Sequence, residues 1–227
     1  MEFEEDLYGC PWEVSAFGGT SGYGRRRRAV LSIADGDSTV TRELPIAVGR
    51  ALERDRKAGR VGESVDARLT ERLSTLLSMC SLERVKALVN RRDYTSLEVR
   101  RKLLEAGYPR DVAEVTLGRS MELGLVDDAR YGRVFARSKV LSGWGQRRIE
   151  LELERRGVDP EGVRGWPEEF VDEAGSELER ATEVAARRSF RGKDPYAQCM
   201  RFLLGRGFSY GVSSAATRAV VCGESEG

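Results

Sequence analysis

Phe202-Leu203-Leu204-Gly205-Arg206-Gly207-Phe208 is the third appearance of a pattern that recurs every fifty residues along the 227-residue chain. Leu103, Leu153 and Leu203 are each followed by a glycine four residues on (Gly107, Gly157, Gly207) and then by an apolar residue (Tyr108, Val158, Phe208). Four residues before each leucine stand Val99, Ile149 and Cys199, the spacing of one buried helical stripe. The glycine falls where a helix needs positive φ to end, and the apolar residue after it folds back on the last turn. Copies held in phase define a repeat. A further helical segment precedes each copy, at 82–92, 128–140 and 176–190, so the unit is three helices.

The fold expected is therefore mainly α, with tandem three-helix repeats over 82–127, 128–175 and 176–222 and a short tail over 223–227. Helix-start signals agree: Thr95 with Glu98 forms a capping box, Asp127 caps the segment from Asp128, and Asp159 precedes Pro160 at a first helical position. Gly165-Trp166-Pro167 interrupts the last helix of the second copy and predicts that it is short or broken. Leu153 is expected to be buried and Arg156 solvated.

Upstream, Ala29-Val30-Leu31-Ser32-Ile33, the turn Asp35-Gly36 and Ser38-Thr39-Val40-Thr41 predict a β-hairpin. It packs on a helix running from Ile46 to Lys57 and ending near Gly59, which together make a unit over 25–62. A connecting helix over 63–81 leads into the repeats. Residues 1–24 mix acidic residues with glycines and are expected to be a disordered tail. For Arg25-Arg26-Arg27-Arg28 two readings stand, a solvated lead-in to the strand and a polyanion contact.

Composition narrows the function. Histidine is absent, which removes the usual general base and the commonest zinc ligand. Cys10, Cys80, Cys199 and Cys222 form no Cys-x-x-Cys pair and read as reduced structural thiols. No Gly-x-x-x-x-Gly-Lys-Ser/Thr phosphate loop occurs. No enzyme activity, cofactor or metal is expected. Asp127-Asp128 reads as a helix start, with a metal site the weaker alternative. With 38 Lys and Arg against 37 Asp and Glu, the net charge of +1 does not favour a protein that works mainly by neutralising phosphates. No apolar run reaches the roughly 18 residues of a membrane span, and a cytoplasmic protein is expected.

Tyr94-Thr95-Ser96-Leu97-Glu98-Val99-Arg100-Arg101-Lys102-Leu103 with Gly107-Tyr108 resembles the first repeat of the RecX family. Leu123-Gly124-Leu125-Val126-Asp127-Asp128-Ala129-Arg130-Tyr131 resembles that family's central Leu-Asp-Asp motif, with valine for its leucine. Gly145-Gln146-Arg147-Arg148-Ile149 with Leu153 and Gly157-Val158 is similar to the second repeat, and Leu203-Leu204-Gly205-Arg206-Gly207-Phe208 to the Leu-x-x-Arg-Gly-Phe signature of the third. The chain departs from the pattern at Trp144-Gly145, where many relatives have lysine and glycine, and around Gly165 to Pro167.

The resemblance implies a curved, elongated body that binds the RecA nucleoprotein filament and lowers its recombinase, ATPase and coprotease activities in DNA repair, recombination and the SOS response. The partner implied is the RecA filament, with its bound single-stranded DNA a second candidate and the chain a monomer. A helical-repeat module that binds single-stranded nucleic acid directly is the alternative. The candidate filament contacts are Arg100, Arg101, Lys102, Arg137, Lys139, Trp144, Arg147 and Arg148. They stand beside a plainer reading, in which long cationic side chains cover the apolar stripe beneath them.

Overall fold

The computed structural model of the chain describes residues 3–15, 28–170, 175–191 and 193–223. The chain divides into two compact units, Met1–Val126 and Asp127–Gly227. The division falls at the boundary between the first and second repeats.

In the first unit the hairpin is joined by a strand not foreseen in the sequence. Among the described residues, β1 (Trp12–Ser15), β2 (Arg28–Asp35) and β3 (Ser38–Pro45) form an antiparallel sheet in that order. Asp35 pairs with Ser38 across the turn, and Gly36 takes the expected positive φ of 55°. Ala29, Leu31 and Ile33 alternate onto the buried face and meet Val48 and Leu52 of α1 (Ile46–Lys57). A Cβ on Gly49 would overlap that of Ala29, so glycine permits the close approach of helix to sheet.

The disordered tail expected over 1–24 is corrected for residues 3–15. Phe3, Leu7 and Trp12 are buried in the core of this unit. Trp12 Nε1 donates to the Gly62 carbonyl at 3.0 Å, and Gly9 N–H donates to Val65 O at 2.8 Å. Three well-spaced apolar side chains anchor a segment whose average composition is polar. Residues 16–24 and Arg25 to Arg27 lie outside the described residues. Arg28, the described end of that run, donates from Nη2 to Glu105 O at 2.9 Å.

The connecting helix and the first helix of repeat 1 are one continuous element, α2 (Ala67–Val89), which corrects the boundary placed at 81/82. Ser81 does not break it, because its hydroxyl is satisfied inside the fold by Ser78 O at 2.9 Å and Thr116 Oγ1 at 2.7 Å. Repeat 1 continues through α3 (Ser96–Ala106) and α4 (Arg110–Glu122), and the Thr95/Glu98 capping box is present.

The second unit carries repeats 2 and 3, each with its own apolar core. Among the described residues repeat 2 contains α5 (Asp128–Leu141), α6 (Gln146–Arg155), a 3-10 turn at Pro160–Gly162 and, beyond the Gly165-Trp166-Pro167 interruption, helical residues at 168–170. Repeat 3 contains α7 (Glu177–Ala186), α8 (Pro195–Gly205) and α9 (Tyr210–Thr217), the last continuing as a π turn over Arg218–Cys222.

The repeat signature has one structural meaning in all three copies. Gly107, Gly157 and Gly207 have φ of 90°, 76° and 89°. Their N–H groups donate to Leu104, Glu154 and Leu204, and those of Tyr108, Val158 and Phe208 donate to Leu103, Leu153 and Leu203. This is the Schellman stop, in which a left-handed residue satisfies two terminal carbonyls while the next apolar side chain closes the end of the core. Val99, Leu103, Ile149, Leu153, Cys199 and Leu203 are fully buried, and Phe208 nearly so.

Candidate functional site

The eight candidate contact residues fall into separate groups. On α3, Arg100 pairs with Glu114 of α4 at 2.9 Å, Arg101 lies 3.8 Å from Glu105, and the Lys102 ammonium sits 5.5 Å from the Tyr94 ring. Arg100 and Arg101 are therefore matched by local carboxylates at an exposed surface. In the second unit, Lys139, Trp144 and Arg148 do come together: the half-buried indole has Arg148 at 4.0 Å and Lys139 at 5.0 Å from its ring centre. Phe135 meets Trp144 edge-on at 6.4 Å. Arg147 is exposed beside them, with no partner among the described residues.

Arg148, itself exposed, has a second task. Its Nη1 donates to Gly205 O at 3.1 Å, at the end of α8, and Gly207 packs against its backbone and Cβ. It joins repeat 2 to repeat 3. Around it, Gly145 N–H donates to Arg206 O at 2.9 Å, Arg206 Nη1 donates to Ser142 O at 3.0 Å, and Arg180 Nη1 donates to Trp144 O at 3.2 Å. Gln146 N–H, at the first turn of α6, donates to the Glu177 carboxylate at 2.9 Å. Arginine donors from each repeat thus take up carbonyls left over at helix ends of the other.

Other expectations resolve locally. Asp127 accepts from Arg130 N–H at 2.8 Å and caps α5. Among the described residues no cluster of three or more His, Cys, Asp or Glu side chains is placed to hold a metal, and no helix is long and apolar enough to cross a membrane. Tyr131 is buried and its hydroxyl accepts from Arg156 Nη1 at 2.9 Å, while Arg156 also grips Glu152 at 2.8 Å. Arg156 is accordingly a brace within repeat 2, where the sequence predicted a solvated residue.

The fifty-residue register exposes a feature the sequence reading missed. The first helix of each repeat turns equivalent positions toward a cavity: Cys80, Glu83 and Arg84 in repeat 1, Arg130, Arg133 and Val134 in repeat 2, and Arg180, Glu183 and Val184 in repeat 3. Arg137 and Arg187 extend the register by one turn in the last two.

In repeat 1 the cavity is lined by Arg54, Arg60, Arg72 and Arg84 against the carboxylates of Asp55 and Glu83. Asp55, buried in its wall, takes 2.7 and 2.6 Å contacts from Arg60 and Arg72. Burial works to raise the Asp55 carboxyl, but the hydrogen bonds and charges of Arg72 and Arg60 outweigh it and hold it below its ordinary range. Burial pushes the neighbouring Cys80 thiol and Tyr108 phenol up, so both stay protonated near neutrality. The repeat 2 cavity, about 960 Å³, is an open groove along α5 with Arg164 and the exposed Val134 and Leu141 on its walls. The repeat 3 cavity, about 360 Å³, lies between the end of α5 and α7. Its arginines were legible only by aligning Arg130 with Arg180 and Arg137 with Arg187.

Known proteins carry the same organisation. A family profile described as the RecX second three-helix domain matches residues 127–164. The regulatory protein RecX of Pseudomonas entomophila is 36% identical over 127 residues, covering 54% of this chain and 79% of that protein. A regulatory protein RecX of Thermus thermophilus is 34% identical over 131 residues, covering 58% of this chain and 85% of that one. The crystal structure of RecX from Lactobacillus salivarius overlays with a TM-score of 0.53 at 18% identity, covering 64% of this chain and 97% of its own. A second RecX crystal structure gives 0.55 at 14% identity over 89% of this chain and 96% of its own, a likeness of fold that extends beyond the aligned repeats. Given relatives above 30% identity that are matched over most of their length, a mainly helical fold and the in-phase repeat stops, the chain belongs to the RecX family of regulatory proteins.

Proposed function

We propose that this protein binds the RecA nucleoprotein filament and restrains its recombinase, ATPase and coprotease activities, acting in the cytoplasm as a monomer without enzymatic activity, cofactor or metal. The observation that carries the reading is the 34–36% identity to regulatory RecX proteins over roughly four-fifths of their length. The surface around Trp144 supports it. An aromatic ring flanked by Lys139 and Arg148, with Arg147 unpartnered beside it, combines the side chains that protein interfaces favour with charge that steers encounter.

The test is a parallel titration of the protein onto RecA filaments and onto bare single-stranded DNA, read together with the DNA-dependent ATPase rate. Filament binding much tighter than binding to bare DNA, with a falling ATPase rate, is the expected result. Equal affinity for bare DNA and filament, with steep salt dependence, replaces this reading with direct nucleic-acid binding.

A further inference from the structure

Arg180 is more than nine-tenths buried and, among the described residues, lacks a counter-ion. Only 7% of the residue is exposed. Among the described residues its one hydrogen bond runs from Nη1 to the Trp144 carbonyl, Nε is buried without a partner, and no carboxylate stands within ion-pair distance. Glu177, the acid whose charge acts on it, has its Oε1 committed to the N–H of Gln146. A buried cation left so poorly matched is costly unless something else supplies the negative charge.

The cavity beside it holds two more guanidiniums. Arg206 donates to the Ser142 and Gly143 carbonyls and likewise has no carboxylate partner among the described residues. Arg187, whose side chain is largely exposed, pairs with Glu183 at 3.3 Å. Three arginines thus face one carboxylate around a space of about 360 Å³ whose mouth is formed by the exposed Arg187 and Glu183.

From this geometry we propose that the cavity between the end of α5 and α7 is a binding site for a phosphate dianion, held by Arg180, Arg187 and Arg206. The excess of two positive charges matches a phosphate near neutral pH better than a carboxylate. Convergence of three guanidiniums suits a tetrahedral group, which offers an oxygen to each, where a planar carboxylate offers two oxygens in one plane. Free phosphate and the terminal phosphomonoester of a nucleic-acid strand share this chemistry. An internal phosphodiester carries one charge and fits less well. The site stands apart from the filament reading, because its binding is measured without RecA.

The experiment is calorimetric titration of the whole chain with inorganic phosphate against chloride at matched ionic strength, at neutral pH. Saturable binding to phosphate and not to chloride is expected. Arg187→Gln, an exposed change that leaves the fold intact, should weaken binding about tenfold, the scale of one lost charge-assisted hydrogen bond. Arg180→Lys should weaken it at least as much, since a point charge replaces the fork. Glu183→Gln should tighten binding by removing the carboxylate that competes for Arg187, a gain that no loss of folding can imitate. Competition by 5′-phosphorylated oligo-dT beyond that of the unphosphorylated strand would identify a strand end as the source; competition by inorganic phosphate alone would identify the free ion. Either supports the site. The proposal is overturned if phosphate binds no better than chloride, if acetate or an acidic peptide binds as tightly as phosphate, or if Arg187→Gln and Glu183→Gln both leave affinity unchanged.

Discussion

Gly145→Ala is the substitution that most directly tests how repeats 2 and 3 are joined. The backbone there is extended, with φ −78° and ψ 158°, so alanine is not strained by its own conformation. The obstacle is across the joint. A Cβ on Gly145 would overlap the carbonyl of Gly207 and the amide nitrogen of Phe208, and backbone atoms cannot rotate away as a side chain would. Repeat 3 must shift from repeat 2. Overpacking of this kind costs about 1 to 3 kcal/mol. The shift also stretches the Gly145–Arg206, Arg148–Gly205 and Arg206–Ser142 hydrogen bonds, now between 2.9 and 3.1 Å. Losing two of them adds about 1 to 3 kcal/mol. A total of about 2 to 6 kcal/mol follows, a large share of the stability of an ordinary domain.

Urea unfolding followed by circular dichroism reads this cost. Gly118→Ala is the matched control: it lies in α4 with nothing within 4 Å of its absent Cβ, and it should be neutral or stabilising by up to about 1 kcal/mol. Gly145 is also the N-cap of α6, so Gly145→Ser separates the two possible costs. Serine restores a good cap but keeps the clash. If Gly145→Ala unfolds at the same urea concentration as the parent, or if Gly145→Ser recovers full stability, the close approach of the two backbones is not what requires glycine here.

Leu153→Ala should cost about 2 to 5 kcal/mol in the same assay because it empties a fully buried position, whereas Arg156→Ala should cost about 1 to 2 kcal/mol for its lost bonds to Glu152 and Tyr131. Asp55→Asn should destabilise the first unit at neutral pH. The folded carboxyl is held below its unfolded value of about 3.9, so its contribution is complete above that pH and lost as pH falls through the folded value; the gap in melting temperature between parent and variant should begin to close only below about pH 4 and vanish once pH is below the folded value. Arg147→Glu should slow association with RecA filaments without changing the melting temperature, while Arg148→Glu should lower both, since only Arg148 ties into α8. Equal effects of the two reversals on stability would contradict that division.

What the sequence made legible was whatever depends on near neighbours. A Schellman stop uses atoms within six residues, so Gly107, Gly157 and Gly207 announce it without knowledge of the fold. The same holds for the Thr95 and Asp127 caps. Trp12 lies at the other extreme: its burial is fixed by Gly62, fifty residues away, and nothing in an acidic, glycine-rich stretch signals the contact. The boundary placed after residue 81 disappears in the fold, where Thr116 of another helix shares the Ser81 hydroxyl inside one continuous helix. Arg147 and Arg148 are indistinguishable as letters and both are exposed, and Gly205, on the next repeat, makes a joint of Arg148 alone.

The register that defines the scaffold also separates scaffold from function. Positions that end helices are the same in each copy because the stop has one solution, glycine with positive φ followed by an apolar plug. Positions lining the first-helix cavities are free of that constraint and differ: a cysteine at 80, arginines at 130 and 180; glutamates at 83 and 183, an arginine at 133. In repeat 1 the buried Asp55 of α1 pairs with Arg60 and Arg72 in the cavity wall. In repeat 3 no carboxylate plays that part for Arg180 among the described residues, and the burial that would make such a carboxylate valuable is already in place. A buried carboxylate paired with its arginines in the repeat 1 wall, and none among the described residues for Arg180 in repeat 3, is what distinguishes the two cavities.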